Sequence, residues 1–518
     1  MSPANLTERS KAHLIPIGLS LVCFFYYMSF LFRYGEMFYR GSDVVASTTY
    51  AITMFREVYH GGWSVPKPVH MLLFGSVYWI TRDLWFVNLV CVLATALTVF
   101  VGCWLILRHY HTTIGCIAFC VFMMTIPRMF RTTMMGGAGC INVLFLLLAV
   151  ACVERIDRMT YRILAIAFLC LANLTRPDSW PATYLIILLI VTLRLSSWSE
   201  SKLNKSDLLF LIPMGMPLIW VLIDWAVFVD PLYSMKKSQS FVVEVASGKS
   251  VSQGLKVNDW TAYPPLVKDA FFDMFTLSSW FSLRAAVLII LSLAGIVVMF
   301  LKQPRILLLL VCPFLGSILF YFVSSLREML FRYGYIYYAF VFVCVAVSIG
   351  LASLCDLTRH VRRRYVGRFI QVGLASLILL FLTTGPYEQT VIRDTIPTLK
   401  KWAALSKLNE PAIESIVDDV NRNAGSPIIV TTQWVPGNRI ALKLSTGKNI
   451  FSVEKLMAKE NLGQKTLLPN FEGKSVYFAA PESTGGAVNR FLHTLIMKSK
   501  RREVIYDRGG IVVLKCLY

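Results

Sequence analysis

The sequence predicts a polytopic α-helical membrane protein, with about eleven transmembrane helices and a C-terminal soluble α/β domain. Three observations predict it. Of the 518 residues, 56% are hydrophobic and only 16% are charged, against about 25% charged in a soluble globular chain; mean hydropathy is +0.60. The apolar residues come in blocks about 20 residues long, the length that crosses the hydrocarbon core as a helix. The composition then shifts abruptly after Gly385-Pro386, where strand and helix patterns begin to alternate.

The expected spans fall at roughly 13–32, 84–107, 113–127, 135–153, 161–174, 181–195, 207–228, 285–301, 306–324, 334–355 and 369–385. The first follows Arg9 and Lys11 and lacks a small-x-small cleavage site before Arg33, so it reads as a signal anchor rather than a cleaved signal peptide. Residues 71–80 form an apolar run too short to span, expected to lie at the interface or to re-enter.

In the tail, a helical pattern covers 397–422, with Pro397 near its start and Gly425 just past its end. Residues 427–432, 475–479 and 510–515 read as strands and 486–499 as a helix. This alternation suggests a small α/β layer. At about 130 residues, the region 386–518 is long enough to bury a core of its own. No internal repeat or low-complexity stretch is present.

The net charge of +21 is explained by topology. Arg359, Arg362, Arg363, Arg364 and Arg368 crowd one short loop; Arg155, Arg158 and Arg162 another; Lys302 and Arg305 a third. These are alternate loops, as the positive-inside rule requires. They place the N-terminus in the cytoplasm, and eleven crossings then place the tail outside. The basic excess therefore faces anionic membrane lipids, and nucleic acid is not an expected partner. Eleven of the twelve cysteines lie in or at the ends of apolar blocks, Cys516 being the exception. They offer no disulfide framework and no zinc spacing and read as small buried hydrophobes.

On this topology the loops 33–83 and 229–284 and the tail 386–518 share the outer side. Polar groups gather there rather than at mid-membrane, where a transporter would place them on several spans. The first loop carries Gly41-Ser42-Asp43 and ends in Pro66-Lys67-Pro68-Val69-His70; other outward segments carry Arg131, Arg176-Pro177-Asp178, Asp230-Pro231-Leu232-Tyr233 and Arg332-Tyr333. A carboxylate such as Asp43 can take a proton from an attacking hydroxyl. Cations such as Lys67, Arg131, Arg176 and Arg332 can hold a phosphate leaving group, and His70 suits either task. This inventory fits sugar transfer from a lipid phosphate and does not exclude phosphate hydrolysis. Plainer roles fit the same spacing: Asp43 as N-cap of a helix over Val44–Tyr59, Lys67 as a snorkelling lysine, Arg176 and Asp178 as a pair in a tight turn, Asp230-Pro231 as a helix end, and Arg332-Tyr333 as an interface anchor.

In their order along residues 1–385, several short motifs resemble the GT-C superfamily of integral-membrane glycosyltransferases, in particular the bacterial group related to protein mannosyltransferases and lipid A aminoarabinose transferases. They are Ser42-Asp43 followed by Tyr50-Ala51, His60-Gly61-Gly62-Trp63 with Pro66-Lys67-Pro68, Leu174-Thr175-Arg176-Pro177-Asp178, Asp230-Pro231-Leu232-Tyr233-Ser234, and Arg332-Tyr333. The resemblance implies a polyprenyl-phosphate sugar donor. It implies that Asp43 is the catalytic base or substrate-orienting carboxylate, and that Lys67 lies near the donor phosphate. His70, Arg131, Arg176, Asp178, Asp230, Tyr233, Arg332 and Tyr333 complete the expected substrate-binding set. Val44 stands where many protein mannosyltransferases carry a second acid, and the Trp-Trp-Asp signature of oligosaccharyltransferases is absent.

The expected protein is thus a hexosyl- or pentosyltransferase of the bacterial inner membrane, active on the periplasmic side. Its acceptor is a glycan, a lipid or a protein. No cofactor is firmly implied, and a divalent metal is left open. The alternatives are a transporter or flippase of lipid-linked saccharide, or a non-catalytic assembly subunit.

Overall fold

The computed structural model describes residues 3–40, 67–134, 136–195, 205–228, 231–232, 283–326, 337–357, 364–386, 396–422, 427–431, 443–444, 450–452, 471–481, 486–508 and 511–518, with Val44, Thr48, Ala51 and Ile440 as isolated positions.

The membrane part is helical: α1 (Pro3–Arg40), α2 (Pro68–Thr81), α3 (Leu84–Tyr110), α4 (Thr113–Thr125), α5 (Pro127–Met134), α6 (Ala138–Val153), α7 (Met159–Thr175), α8 (Ser179–Leu195), α9 (Leu211–Met214), α10 (Met216–Phe228), α11 (Leu283–Lys302), α12 (Pro304–Leu326), α13 (Tyr337–Leu357) and α14 (Arg364–Pro386). Among the described residues, four segments are long and apolar enough to cross a membrane: Leu14–Tyr34, Leu84–Tyr110, Leu283–Lys302 and Tyr338–Asp356. A bent pair around Gly215 makes a fifth if counted as one span. Six further apolar helices are shorter. Each expected block therefore falls on an apolar helix, but fewer than eleven reach spanning length alone. The protein is an integral membrane protein.

Two departures from the expected blocks have local causes. The block 113–127 stops at Thr125 because Pro127 follows: Ile126, the residue before it, is extended at φ −65° and ψ 122°. Pro127 then starts the separate α5. The block 207–228 begins as a 3-10 turn, Lys205–Phe210, and bends by 43° between Met214 and Met216. Pro213, Gly215 and Pro217 cluster at the bend; proline removes ladder hydrogen bonds and glycine resists bending least.

Packing follows from small residues where helices meet. A Cβ on Gly295 of α11 would collide with the carbonyl of Ala346 on α13, and one on Gly350 of α13 would collide with that of Leu291 on α11. The two glycines let these helices pack backbone to backbone, as small residues do in membrane bundles. One large core joins α1 and α3 to α8 and α11–α14 through residues such as Tyr27, Phe119, Phe130, Leu169, Ile186 and Phe340. The apolar helix ends and lipid-facing sides remain exposed, as at Phe25, Leu188, Phe300 and Phe369.

After α14 come α15 (Ile396–Arg422), β1 (Ile428–Thr431), β2 (Ile450–Ser452), β3 (Ser475–Pro481), α16 (Gly486–Met497), β4 (Arg501–Arg508) and β5 (Ile511–Leu517). They form a five-stranded sheet in the order β2-β1-β3-β5-β4. β1 is parallel to β2 and β3, and β5 is antiparallel to β3 and β4. One sheet face, with Ile428, Val430, Val476 and Phe478, packs on Leu492 of α16. The other, with Ile429, Tyr477 and Val513, packs on Ala412, Ile413 and Ile416 of α15. Period-2 alternation along β1 and β3 sends successive side chains to the two faces.

Candidate functional site

Helix α2 starts at the proline-framed turn that the sequence singles out. Lys67 is its N-cap, extended at φ −130° and ψ 99°, and Pro68 occupies the first helical position, where its missing N–H costs nothing. One turn on, the His70 side chain is fully buried. Its Nε2 lies 3.1 Å from the carbonyl oxygen of Gly136. A carbonyl only accepts, so Nε2 carries the proton and donates. Nδ1 is then an acceptor, buried and without a hydrogen-bond partner among the described residues. Burial holds the His70 pKa well below its ordinary value, helped by the positive charges of Lys67 and Arg176, against the pull of the Gly136 carbonyl. These effects favour the neutral imidazole.

Gly136 sits at φ +69°, and a Cβ there would collide with the Val44 side chain. Only glycine meets both conditions. Val44, chain neighbour of Asp43, is thereby packed against the backbone that holds His70. Val44 and Thr48 are fully buried.

The segment leading to Gly136 is held by side chains of α3. Asn88 Nδ2 donates to the Met134 carbonyl at 2.8 Å, and Thr95 Oγ1 lies 2.8 Å from Thr133 Oγ1. This segment carries Arg131, which is half-buried on α5.

Arg176 ends α7 as its C-cap, its N–H donating to the Ala172 carbonyl at 3.0 Å. Its Nε donates to Asp178 Oδ1 at 2.8 Å, realising the local pair that the spacing allows. Both side chains are buried. Burial raises the Asp178 pKa above the ordinary carboxylate value, and Arg176 and, more weakly, Lys67 pull it back. Behind this turn, buried amides and hydroxyls tie α6, α7 and α8 together. Ser179 Oγ donates to Asn142 Oδ1 at 2.6 Å, Thr183 Oγ1 to Asn173 Oδ1 at 2.8 Å, and Asn173 Nδ2 to the Pro213 carbonyl at 2.9 Å.

The fold thus brings Lys67, His70, Arg176 and Asp178 into one electrostatic neighbourhood, with Arg131 on the adjoining helix. Asp43, Asp230, Tyr233, Arg332 and Tyr333 lie outside the described residues. Asp224, a charge within the expected span 207–228, is buried on α10. Among the described residues, no group of three or more His, Cys, Asp or Glu stands close enough to hold a metal ion. Three contributors escape the sequence reading: Gly136, Asn88 and Asn173. The Gly136-Gly137 pair is a turn signal, although the expected span 135–153 runs over it. A lone asparagine in an apolar run gives no sign of which carbonyl it meets.

Two layers of charge flank the helices. At the far end of α7 from Arg176, Arg162 and Arg194 converge on buried Asp207, with Arg194 Nη1 to Asp207 Oδ2 at 3.0 Å and Arg162 Nε to Asp207 Oδ1 at 3.6 Å. Asp157 joins Arg194 at 3.3 Å, and Arg162 also bonds Ser206. This cluster pins the 3-10 turn before the bent span to α7 and α8.

No family model matches the chain, and no curated protein matches it. Solved structures do. The crystal structure of ArnT from Cupriavidus metallidurans bound to undecaprenyl phosphate is 12% identical, with a TM-score of 0.54 over 97% of this chain and 97% of that one. The apo state of the same protein gives a TM-score of 0.51 at 12% identity and the same coverage. The archaeal oligosaccharyltransferase AglB from Archaeoglobus fulgidus, in complex with an inhibitory peptide and a dolichol-phosphate, is 12% identical with a TM-score of 0.46, over 92% of this chain and 69% of that one. The likeness to ArnT runs almost end to end, so the chain shares the fold of that protein.

Proposed function

We propose that this protein is a glycosyltransferase that moves a sugar from a polyprenyl-phosphate donor to an acceptor at the outer face of the membrane. The observation that carries this reading is the convergence of Lys67 and Arg176 around neutral His70 at the N-terminus of α2. Two cations near a helix N-terminus, with its partial positive charge, together suit a phosphate. Support comes from the fold shared with ArnT, a protein whose crystal structure holds undecaprenyl phosphate.

In this reading Lys67 and Arg176, with Arg131 and Arg332, hold the lipid phosphate. Asp43 orients the acceptor and takes the proton of its hydroxyl. The acceptor oxygen forms a bond to the anomeric carbon as the bond from that carbon to the phosphate oxygen breaks. The bonding pair leaves with polyprenyl phosphate, whose developing charge the cations stabilise. Asp178 keeps Arg176 in place, and Asp230, Tyr233 and Tyr333 contribute to the sugar and acceptor sides. The α/β layer lies on the outer face of a bacterial inner membrane, with the N-terminus cytoplasmic.

The test is transfer from a short-chain polyprenyl-phosphate sugar by purified protein, read as release of polyprenyl phosphate. Wild type releases it. Asp43→Asn keeps the fold and loses about 10²-fold or more in rate. Near-wild-type transfer by Asp43→Asn would remove the catalytic assignment, since asparagine caps a helix nearly as well as aspartate.

A further inference from the structure

Helix α2 is packed on both sides, and the two sides belong to different parts of the fold. His70 and Phe74 face the membrane bundle: His70 bonds Gly136, and Phe74 is fully buried in the bundle core. Met71, the next residue after His70, turns about 100° away, as helix geometry requires. It is 2% exposed and belongs to the core of the α/β layer, with Ile413 and Ile416 of α15, Ile429 of β1, Tyr477 of β3 and Val513 of β5.

Met71 is also bonded back to the donor-side turn. The Met71 N–H donates to the Lys67 carbonyl at 2.8 Å, and the Lys67 N–H points at Met71 Sδ at 3.2 Å. The orphan N–H at the start of α2 is thus met by the side chain that anchors the α/β layer. The Lys67 side chain makes no capping bond, since an ammonium donates and cannot accept from the first N–H groups of a helix.

We propose that the C-terminal α/β layer is a working part of the donor site, and that Met71 is the positioning residue through which it sets the Lys67 turn. The inference rests on the reading of Lys67 as a ligand of the donor phosphate. Displacing Met71 lets the first turn of α2 rotate between its two supports. Lys67 then moves relative to Arg176, which is fixed independently on α7. An error of about 1 Å between groups that must meet one ligand is enough for a large loss.

The test is binding of undecaprenyl phosphate to full-length protein in nanodiscs, measured per folded molecule, alongside thermal stability. Met71→Ala is expected to weaken binding about tenfold, and Met71→Leu, which conserves volume, to restore it. Ile416→Ala, in the same cluster but on α15, is expected to weaken binding in the same direction, and it serves if Met71→Ala does not fold. The control is Val430→Ala, buried on the opposite sheet face against α16. It destabilises the same layer without touching the Met71 pocket and is expected to bind as wild type. Equal weakening by Val430→Ala, or unchanged binding in both Met71→Ala and Ile416→Ala, overturns the positioning role. Failure of wild type itself to bind undecaprenyl phosphate would instead count against the proposed function.

Discussion

The Arg176–Asp178 pair allows a structural role and a ligand-binding role to be separated. Both side chains are buried, and Nε meets Oδ1 at 2.8 Å. Replacing Arg176 alone by leucine leaves the Asp178 carboxylate buried and uncompensated, which typically costs about 3–5 kcal/mol. Burial already pushes the Asp178 pKa above the ordinary carboxylate value with Arg176 in place, so the carboxylate has little solvation to fall back on. Replacing both residues, as Arg176→Leu with Asp178→Leu, removes the buried charges together. Such swaps of a buried pair for apolar groups are often neutral or stabilising by about 1–4 kcal/mol. The double variant should therefore recover most of the stability lost in the single one, as measured by thermal unfolding in detergent. Binding of a short-chain polyprenyl phosphate should not recover, because the second phosphate cation is gone. Wild-type affinity in the folded double variant would refute the assignment of Arg176 to the donor and leave the pair as a turn lock.

Three further expectations follow from the same geometry. Lys67→Ala should weaken donor binding by roughly 2–5 kcal/mol, the usual consequence of removing one partner of a desolvated charge pair, whereas Arg363→Ala in the basic loop should not; equal small effects would mean that both residues only anchor the protein in the membrane. The folded pKa of His70 lies below its ordinary value, so at acid pH the unfolded chain binds a proton that the folded chain does not. The stability contribution is complete above about pH 6.5 and is lost as pH falls toward the folded pKa, by up to about 1.4 kcal/mol per pH unit; His70→Asn, which can still donate to Gly136, should flatten that slope relative to wild type, and an unchanged slope would remove His70 as its source. Gly136→Ala should destabilise by about 1–3 kcal/mol, since alanine is strained at positive φ and meets Val44; a variant as stable as wild type would show that the turn relaxes freely.

Much of the fold was legible because its signals are local. The apolar blocks, the helix at 396–422, three of the five strands and the helix at 486–497 follow from period and punctuation alone. β4 was missed because its sequence, from Arg501 to Arg508, is charged at both ends and reads as a solvated stretch. It is an edge strand in the sheet order, and charge on an edge strand guards against pairing with other chains. β2 is three residues long and too short for alternation to register. The amphipathic α5 was hidden between two apolar blocks, and only Pro127 marks its start. In the site, Lys67, Arg176 and Asp178 were readable from residue type beside proline. The partner of His70 was not, because a carbonyl 66 residues away leaves no trace in spacing.

The two charged layers on α7 differ in a way that bears on chemistry. Arg162 and Arg176 are fourteen residues apart in the sequence, which at 1.5 Å per residue puts them about 21 Å apart along the helix, about two thirds of the thickness of a bilayer core. At the Arg162 end, two arginines meet two aspartates, so the cluster is internally balanced and suits a brace. At the Arg176 end, Lys67 and Arg176 lie with the buried carboxylate of Asp178 and with His70. On the proposed function, this end meets the lipid phosphate of the donor. A conducting path would need polar groups joining the two ends. Along α7 the buried residues from Ala165 to Ala172 are the apolar Ala165, Ile166, Leu169 and Ala172, and the buried polar Asn173 and Thr175 fall at the Arg176 end. That separation favours chemistry confined to the Lys67 end over passage of a polar substrate through the bundle along this helix.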